Sequence, residues 1–216
     1  KISAKIERLS ELGPKPVYIS ADATDVGAMH AAKTQIMERF GPIHGVVHSA
    51  LHFEETDISS LNADTFMKGF NSKAKVSDAI ETVFGDLPLD FILMFSSVVS
   101  LIRNPRQAAY AAGCAYNDAI AHQLEQKLAY PVKTMNWGYW NSTKDQPADE
   151  SALQAFLKLN KIGIGLIDAD EGMHALDLLL SSSEQQVGLV KTTKPVDIEG
   201  LSRTTRLMLP PLLKLD

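Results

Sequence analysis

Apolar residues recur along this chain at two periods, and the alternation between them predicts the elements. Ile2, Ile6, Leu9 and Leu12 fall at helical spacing and are stopped by Gly13 and Pro14, so a helix is predicted over residues 1–12. The short run Pro16–Ser20 predicts a strand, closed by Asp22-Ala-Thr-Asp25, in which both acids suit a helix N-cap. From Val26 to Phe40 the apolar positions Ala28, Met29, Ala32, Ile36, Met37 and Phe40 return to helical spacing. The order then repeats: strand Gly45–His48, helix Ala63–Phe84, strand Asp90–Phe95, helix Gln107–Leu128, strand Val132–Trp137. Two helical stretches, around residues 150–160 and 170–180, precede a last strand over 186–190. Short apolar strands separated by helices are what a parallel sheet covered on both faces requires, so the predicted class is α/β with a doubly wound sheet.

Composition narrows the function classes. A length of 216 residues suits one α/β domain with a sizeable core, and two small domains only as a second choice. With 45% hydrophobic and 22% charged residues, a disordered chain is excluded. The net charge of -5 argues against a broad footprint for nucleic acid or anionic lipid. The single cysteine, Cys114, excludes an intramolecular disulfide framework and a thiolate zinc site, and fits a reducing, cytoplasmic setting. No stretch approaches the roughly 18 uninterrupted apolar residues of a membrane span, and Lys1–Leu9 has no apolar signal-peptide core. His44, His48 and His52 are four apart but fall on a predicted strand and its loops, so no metal site is expected. Residues 141–150 are polar and read as a loop, and 193–216, with Pro195, Pro210 and Pro211, as an exit linker after a domain over 1–192.

In a doubly wound sheet, ligands bind outside the carboxyl ends of the strands. The residues there are Asp22-Ala-Thr-Asp25, His48-Ser-Ala-Leu51, Ser96-Ser97 and Asn136-Trp-Gly-Tyr-Trp140. Singly, each has a plain structural role: the acids cap helices, the serines satisfy loop backbone, and the tryptophans pack in the core. Spacing makes the set specific. Tyr110, in Gln107-Ala-Ala-Tyr-Ala-Ala-Gly-Cys114, lies 13 residues after Ser97, and Lys73 lies 24 before it on the long helix.

This arrangement resembles the short-chain dehydrogenase/reductase superfamily, and within it the ketoreductase domains of modular polyketide synthases. The matching text is Gly45-Val-Val-His-Ser-Ala50, Leu89-Asp-Phe91 running into Phe95-Ser-Ser97, Gln107 with Tyr110-Ala-Ala112, and Asn136-Trp-Gly-Tyr-Trp140. The wording Tyr-Ala-Ala-Gly-Cys and Val-Lys-Thr-Met-Asn-Trp-Gly-Tyr-Trp is most similar to synthases whose acyltransferase acts in trans. The resemblance implies NADPH-dependent reduction of a β-ketoacyl group, carried on the phosphopantetheine of an acyl carrier protein, among neighbouring polyketide synthase domains. Two rivals stand beside it, a non-catalytic module of the same fold and a short-chain dehydrogenase or epimerase acting on a free small molecule. It implies a Rossmann-like fold and a catalytic set of Ser97, Tyr110 and Lys73. Asp22 and Ala23 are then expected near the adenine, His48, Ser49 and Ala50 near the ribose, and the backbone of Trp137, Gly138 and Tyr139 beside the nicotinamide. The polar stretch from Asn141 and the following helix would form a lid.

The chemistry is consistent with that set. Reducing a ketone takes hydride at carbon and a proton at oxygen, so the site needs an acid and a donor on the oxygen side. Ser97 would donate to the carbonyl oxygen and Tyr110 would pass the proton. A tyrosine with a pKa of about 10 needs a cation nearby to favour its phenolate during turnover. Ordinary members of the superfamily place that lysine four residues after the tyrosine, where this chain has Cys114. Lys73 is preferred in its place because its spacing to Phe66, Ile80 and Ser97 matches without a gap, and Lys75 competes.

Departures from the family text locate further candidates. Polyketide ketoreductases often carry an asparagine at the position of Cys114, where it holds a relay water, and Asn117 lies one turn further on. Glu55, in Phe53-Glu-Glu55, stands where an aspartate accompanies formation of the D-alcohol, and Ile102 stands where a tryptophan accompanies the opposite product. The D-configured alcohol is therefore expected, with Glu55, Gln107, Cys114 and Asn117 on the substrate side. The only Gly-x-Gly, Gly163-Ile-Gly165, reads as a turn. No glycine-rich pyrophosphate cradle precedes it, so the N-terminal βαβ unit is expected to be missing from this chain, which would start inside the second helix of the fold.

Overall fold

The computed structural model describes residues 2–52, 54–102, 106–141 and 157–196. Four strands, β1 (Gly45–His48), β2 (Phe91–Ser97), β3 (Val132–Trp137) and β4 (Gln186–Leu189), form one sheet in the order β1-β2-β3-β4. All three pairings are parallel, with Gly45 opposite Phe91, Ile92 opposite Val132 and Thr134 opposite Gln186. Parallel neighbours need a crossover, and α3 (Ala63–Phe84), α4 (Ala108–Lys127) and α5 (Ala169–Ser181) supply one each. Two further helices, α1 (Ile2–Ser10) and α2 (Val26–Phe40), precede the sheet, and neither has a buried residue.

Alternation along β2 shows both faces covered. Ile92 and Met94 pack with Val76, Ile80 and Val83 of α3 and Ala121 and Leu124 of α4. Leu93, between them, points the other way, into a second cluster with Met135, Trp137 and Ala175 and Leu179 of α5. Every residue of β3 is buried. The molecule is thus a doubly wound α/β layer structure.

Local rules account for the element ends. Asp25 caps α2 through Ala28 N at 3.0 Å, and Asn62 caps α3 through Thr65 N at 2.9 Å. The two long helices approach closely at Gly113, where a Cβ would lie 2.9 Å from Phe70 O and 3.2 Å from Lys73 Cβ. Glycine at that position lets Lys73 on α3 reach the first turns of α4.

Three expectations change. Pro16–Ser20 forms no strand, because a strand is defined by its ladder and this segment joins none among the described residues. It is instead an extended, largely exposed stretch, with Tyr18 56% accessible. β2 runs two residues further than the apolar pattern predicts, because Ser96 and Ser97 pair with Asn136 and Trp137. The last strand closes at Leu189. Gly163 makes the expected turn with φ 89°, and Ile164 bridges Thr192. Thr193 N donates to Gly163 O at 2.9 Å, so the first linker residue is tied to the domain. The rest of the linker from 197, Phe53, and most of the lid segment (142–156) lie outside the described residues. Among the described residues no helix is long and apolar enough to cross a membrane.

Candidate active site

The carboxyl end of β2 delivers Ser97 directly. It is the last strand residue and the N-cap of a 3-10 turn, Val98–Ser100, with Val99 N donating to its Oγ at 3.4 Å. Its Oγ also reaches Trp137 O, its partner across the ladder, at 3.3 Å. Tyr110 sits in the first turn of α4, which returns over this end of the sheet, and its hydroxyl hydrogen bonds with Ser97 and with Cys114 one turn on. Burial is the main reason the Tyr110 hydroxyl is held well above the usual phenol range, with the Cys114 thiol second. The Ser97 hydrogen bond works in the opposite sense, favouring the phenolate.

Lys73 approaches from α3. Its side chain is buried, and Nζ donates to Phe95 O at 2.6 Å. Burial pushes its ammonium toward the neutral form, while Cys114 and Asp118 oppose that. Cys114 Sγ is the shared neighbour, hydrogen bonded with Tyr110 and influenced by the Lys73 charge, and burial keeps the thiol protonated by pushing its pKa up. The competitor Lys75 is exposed and faces Asp22 instead.

The other sequence candidates divide. His48 is 1% exposed, with Nε2–H directed at Lys73 O at 3.4 Å and Nδ1 accepting from Ala50 N at 3.3 Å. Nε2 thus ties β1 to α3, and Nδ1 holds the turn that follows β1. Burial and the Lys73 ammonium bring its pKa down to about 4. Ser49 is exposed and Ala50 half-buried at the end of β1. Asp22 is exposed, with Oδ1 accepting from Thr24 N at 2.9 Å and Oγ1 at 2.8 Å, which lowers its pKa. Ala23 packs half-buried against the main core.

At the end of β3, Trp137 is buried edge-on to Phe95, with centroids 5.5 Å apart. Gly138 N donates to Leu189 O at 2.9 Å, and a Cβ on Gly138 would lie 2.6 Å from that oxygen, so the chain turns there at glycine. Tyr139 is held above the usual phenol range, mainly by burial and then by the Glu55 carboxylate.

On the substrate side, Glu55 is tied to the segment before α4. Gln107 Nε2 donates to Glu55 Oε1 at 3.3 Å, Arg106 Nη2 lies 3.5 Å from Oε2, and Thr56 N donates to Arg106 O at 3.0 Å. Of these, Thr56 and Arg106 line a recess, with Glu54, that reaches Gly69 and Tyr110. Asn117 is fully buried, its Oδ1 2.9 Å from Ser77 Oγ, which is also 2.9 Å from Lys73 O. It thus braces α3 against α4. Sequence reasoning passed over Ser100 and Asp118, which stand directly behind Ser97, with Ser100 Oγ donating to Asp118 Oδ2 at 2.7 Å. The available signal was an acid two turns beyond Tyr110 on its own helix.

The KR domain family model matches residues 1–142. The chain belongs to the KR domain family. It is 43% identical over 210 residues to polyketide synthase PksM of Bacillus subtilis, and 35% identical over 211 residues to polyketide synthase ThaG of Burkholderia thailandensis. Each alignment takes in 97% of this chain but only 5% and 4% of those relatives, so the chain spans about a twentieth of their length. Among solved structures, it superposes on a ketoreductase domain from the bacillaene assembly line with a TM-score of 0.77, 26% identity, and 88% of this chain against 46% of that one. An N-terminal ketoreductase from the macrolactin assembly line gives 0.78 at 22% identity, covering 89% and 37%. The fold of this KR domain is therefore the α/β fold of those ketoreductases.

Proposed function

We propose that this KR domain reduces a β-ketoacyl thioester, carried on the phosphopantetheine of an acyl carrier protein, to the β-hydroxyacyl form with NADPH. The observation that carries the reading is the meeting at the carboxyl end of β2 of Tyr110, hydrogen bonded to Ser97 and to Cys114, with Lys73 on the other side of Cys114. The donor set suits a nicotinamide nucleotide. Asp22 is an exposed carboxylate able to accept from an adenine amine, and small residues at the end of β1, Ser49 and Ala50, permit close approach of the backbone. Trp137, Gly138 and Tyr139 would flank the nicotinamide, and that cofactor supplies the hydride.

The residues do the rest. Ser97 donates a hydrogen bond to the substrate carbonyl oxygen and so stabilises charge that grows there as the carbonyl is reduced. Tyr110, kept in its phenol form by burial, holds the proton that this oxygen takes. Lys73 provides the positive charge that limits the cost of the transient phenolate. Glu55, held by Arg106 and Gln107, would be the carboxylate that favours the D-configured alcohol. Neighbouring polyketide synthase domains are the expected source of the substrate.

Replacing Tyr110 by Phe tests the reading. In the native polypeptide, Tyr110→Phe should lower kcat by about 10²–10⁴ while leaving NADPH affinity unchanged. A kcat within tenfold of the parent would reject Tyr110 as the acid. Chiral chromatography of the product should show the D-alcohol, and a predominantly L product would reject the role given to Glu55.

A further inference from the structure

Behind Ser97 lies a polar knot that the steps above do not use. Asp118 Oδ2 accepts from Ser100 Oγ at 2.7 Å and from Asn136 Nδ2 at 2.9 Å. The same Asn136 Nδ2 lies 3.2 Å from Ser97 O and 3.0 Å from Ser100 Oγ, and Ser100 Oγ lies 3.0 Å from Ser97 O. Proton counting sorts these contacts. Ser100 has one proton and its shortest contact is the carboxylate, while the two amide protons of Asn136 serve Asp118 and the Ser97 carbonyl. Gln186 Nε2 then donates to Asn136 Oδ1 at 2.8 Å and fixes the amide orientation from β4. One carboxylate oxygen on α4 thus ties the 3-10 turn to β3 at the residue that presents the proposed hydroxyl donor.

The other oxygen makes the arrangement informative. Asp118 Oδ1 is buried and has no hydrogen-bond partner among the described residues. A buried acceptor without a partner destabilises the fold, so a neutral side chain would hold the turn at lower cost. What the acid adds is charge next to Lys73, Tyr110 and Cys114.

On the reading that Ser97 and Tyr110 carry out the reduction, we propose that Asp118 is its positioning residue, fixing Ser97 through Ser100 and Asn136 and supplying the anion that faces Lys73. The groups around Lys73 single out that anion. From α4 come Cys114 and Asp118, from β1 the ring of His48, and from β2 the Phe95 carbonyl. Cys114 is a protonated thiol and His48 a neutral imidazole at neutral pH, which leaves Asp118 as the carboxylate among those named. The same charge disfavours the Tyr110 phenolate, so Asp118 raises the pH at which the pair gives up its proton.

Asp118→Asn and Asp118→Ala separate the two contributions, measured in the native polypeptide with a β-ketoacyl thioester. Asparagine keeps an acceptor for Ser100 and Asn136 but removes the charge. Asp118→Asn should lower kcat by roughly tenfold with KM within about twofold, and move the alkaline limb of the kcat profile to lower pH. Asp118→Ala should move the limb equally and lower kcat by a further factor of about ten, because the turn is also released. Ser100→Ala, which releases the turn alone, should lower kcat about threefold with the limb unmoved. An alkaline limb that stays in place in both Asp118 variants, or an alanine variant no slower than the asparagine one, overturns the proposal. If those results accompany a Tyr110→Phe variant that has lost activity, the reduction itself stands and only the role of Asp118 fails. A fully active Tyr110→Phe variant would reject the underlying reading instead.

Discussion

His48 shows how far a residue's placement can redirect its chemistry. At the end of a strand in a nucleotide-binding fold it reads as a ligand contact, yet its ring is buried and both nitrogens are engaged within the protein. Its pKa falls from 6.5 to about 4. The unfolded chain therefore binds a proton that the folded chain does not between those values, so stability is full above about pH 6.5 and is lost as pH falls toward 4. Denaturant unfolding across that window should show a loss on the order of 3 kcal/mol that His48→Gln flattens; an unchanged slope in that variant would assign the loss to other groups. Lysine placement gives a second test. Lys73→Met should lower kcat at least tenfold, whereas the exposed Lys75→Met should leave it within twofold. The reverse ranking would transfer the role to Lys75. The types and spacing of Ser97, Tyr110 and Lys73 were readable because each lies on or beside a recognisable element. The part played by Ser100 and Asp118 was not, because a carboxylate meeting a hydroxyl 18 residues earlier depends on how α4 crosses β2, which no local pattern encodes.

Elements were legible wherever apolar spacing was reinforced by a cap. Helices Val26–Phe40 and Ala63–Phe84 and strand Val132–Trp137 stand at the residues that the pattern predicts. Pro16–Ser20 had the composition of a strand, but composition supplies no neighbour. The serines that end β2 were placed outside it because they are polar, although ladder pairing with Asn136 and Trp137 is indifferent to side-chain polarity. The contact between α3 and α4 is sensitive at Gly113. In Gly113→Ala the new methyl would press on the Phe70 carbonyl, backbone that cannot swing aside, so the helices must separate. Unfolding by urea should show a loss of about 1–3 kcal/mol. A variant as stable as the parent would mean that the two helices adjust freely.

At the scale of the whole molecule, protection from solvent is uneven. β3 is buried throughout and β2 at four of its seven residues, whereas α1 and α2 bury no residue. Amide hydrogen exchange should therefore be slowest in β2 and β3 and fastest in the two leading helices. Uniform exchange rates would contradict that ordering. A parallel sheet covered on both faces was legible from alternation alone, whereas its strand order was not. The convergence of three separate elements on Cys114 became visible only when they were packed together. Had the lysine followed the tyrosine by one turn, helical geometry would lock the pair together. Here each comes from its own helix, so the distance between them is set by packing. A slip of α3 along α4 by one residue, about 1.5 Å, would leave the helix content unchanged and the two groups out of reach. Heating should accordingly silence this domain several degrees before its circular dichroism signal declines, so that its activity works as a gauge of the seam between two helices.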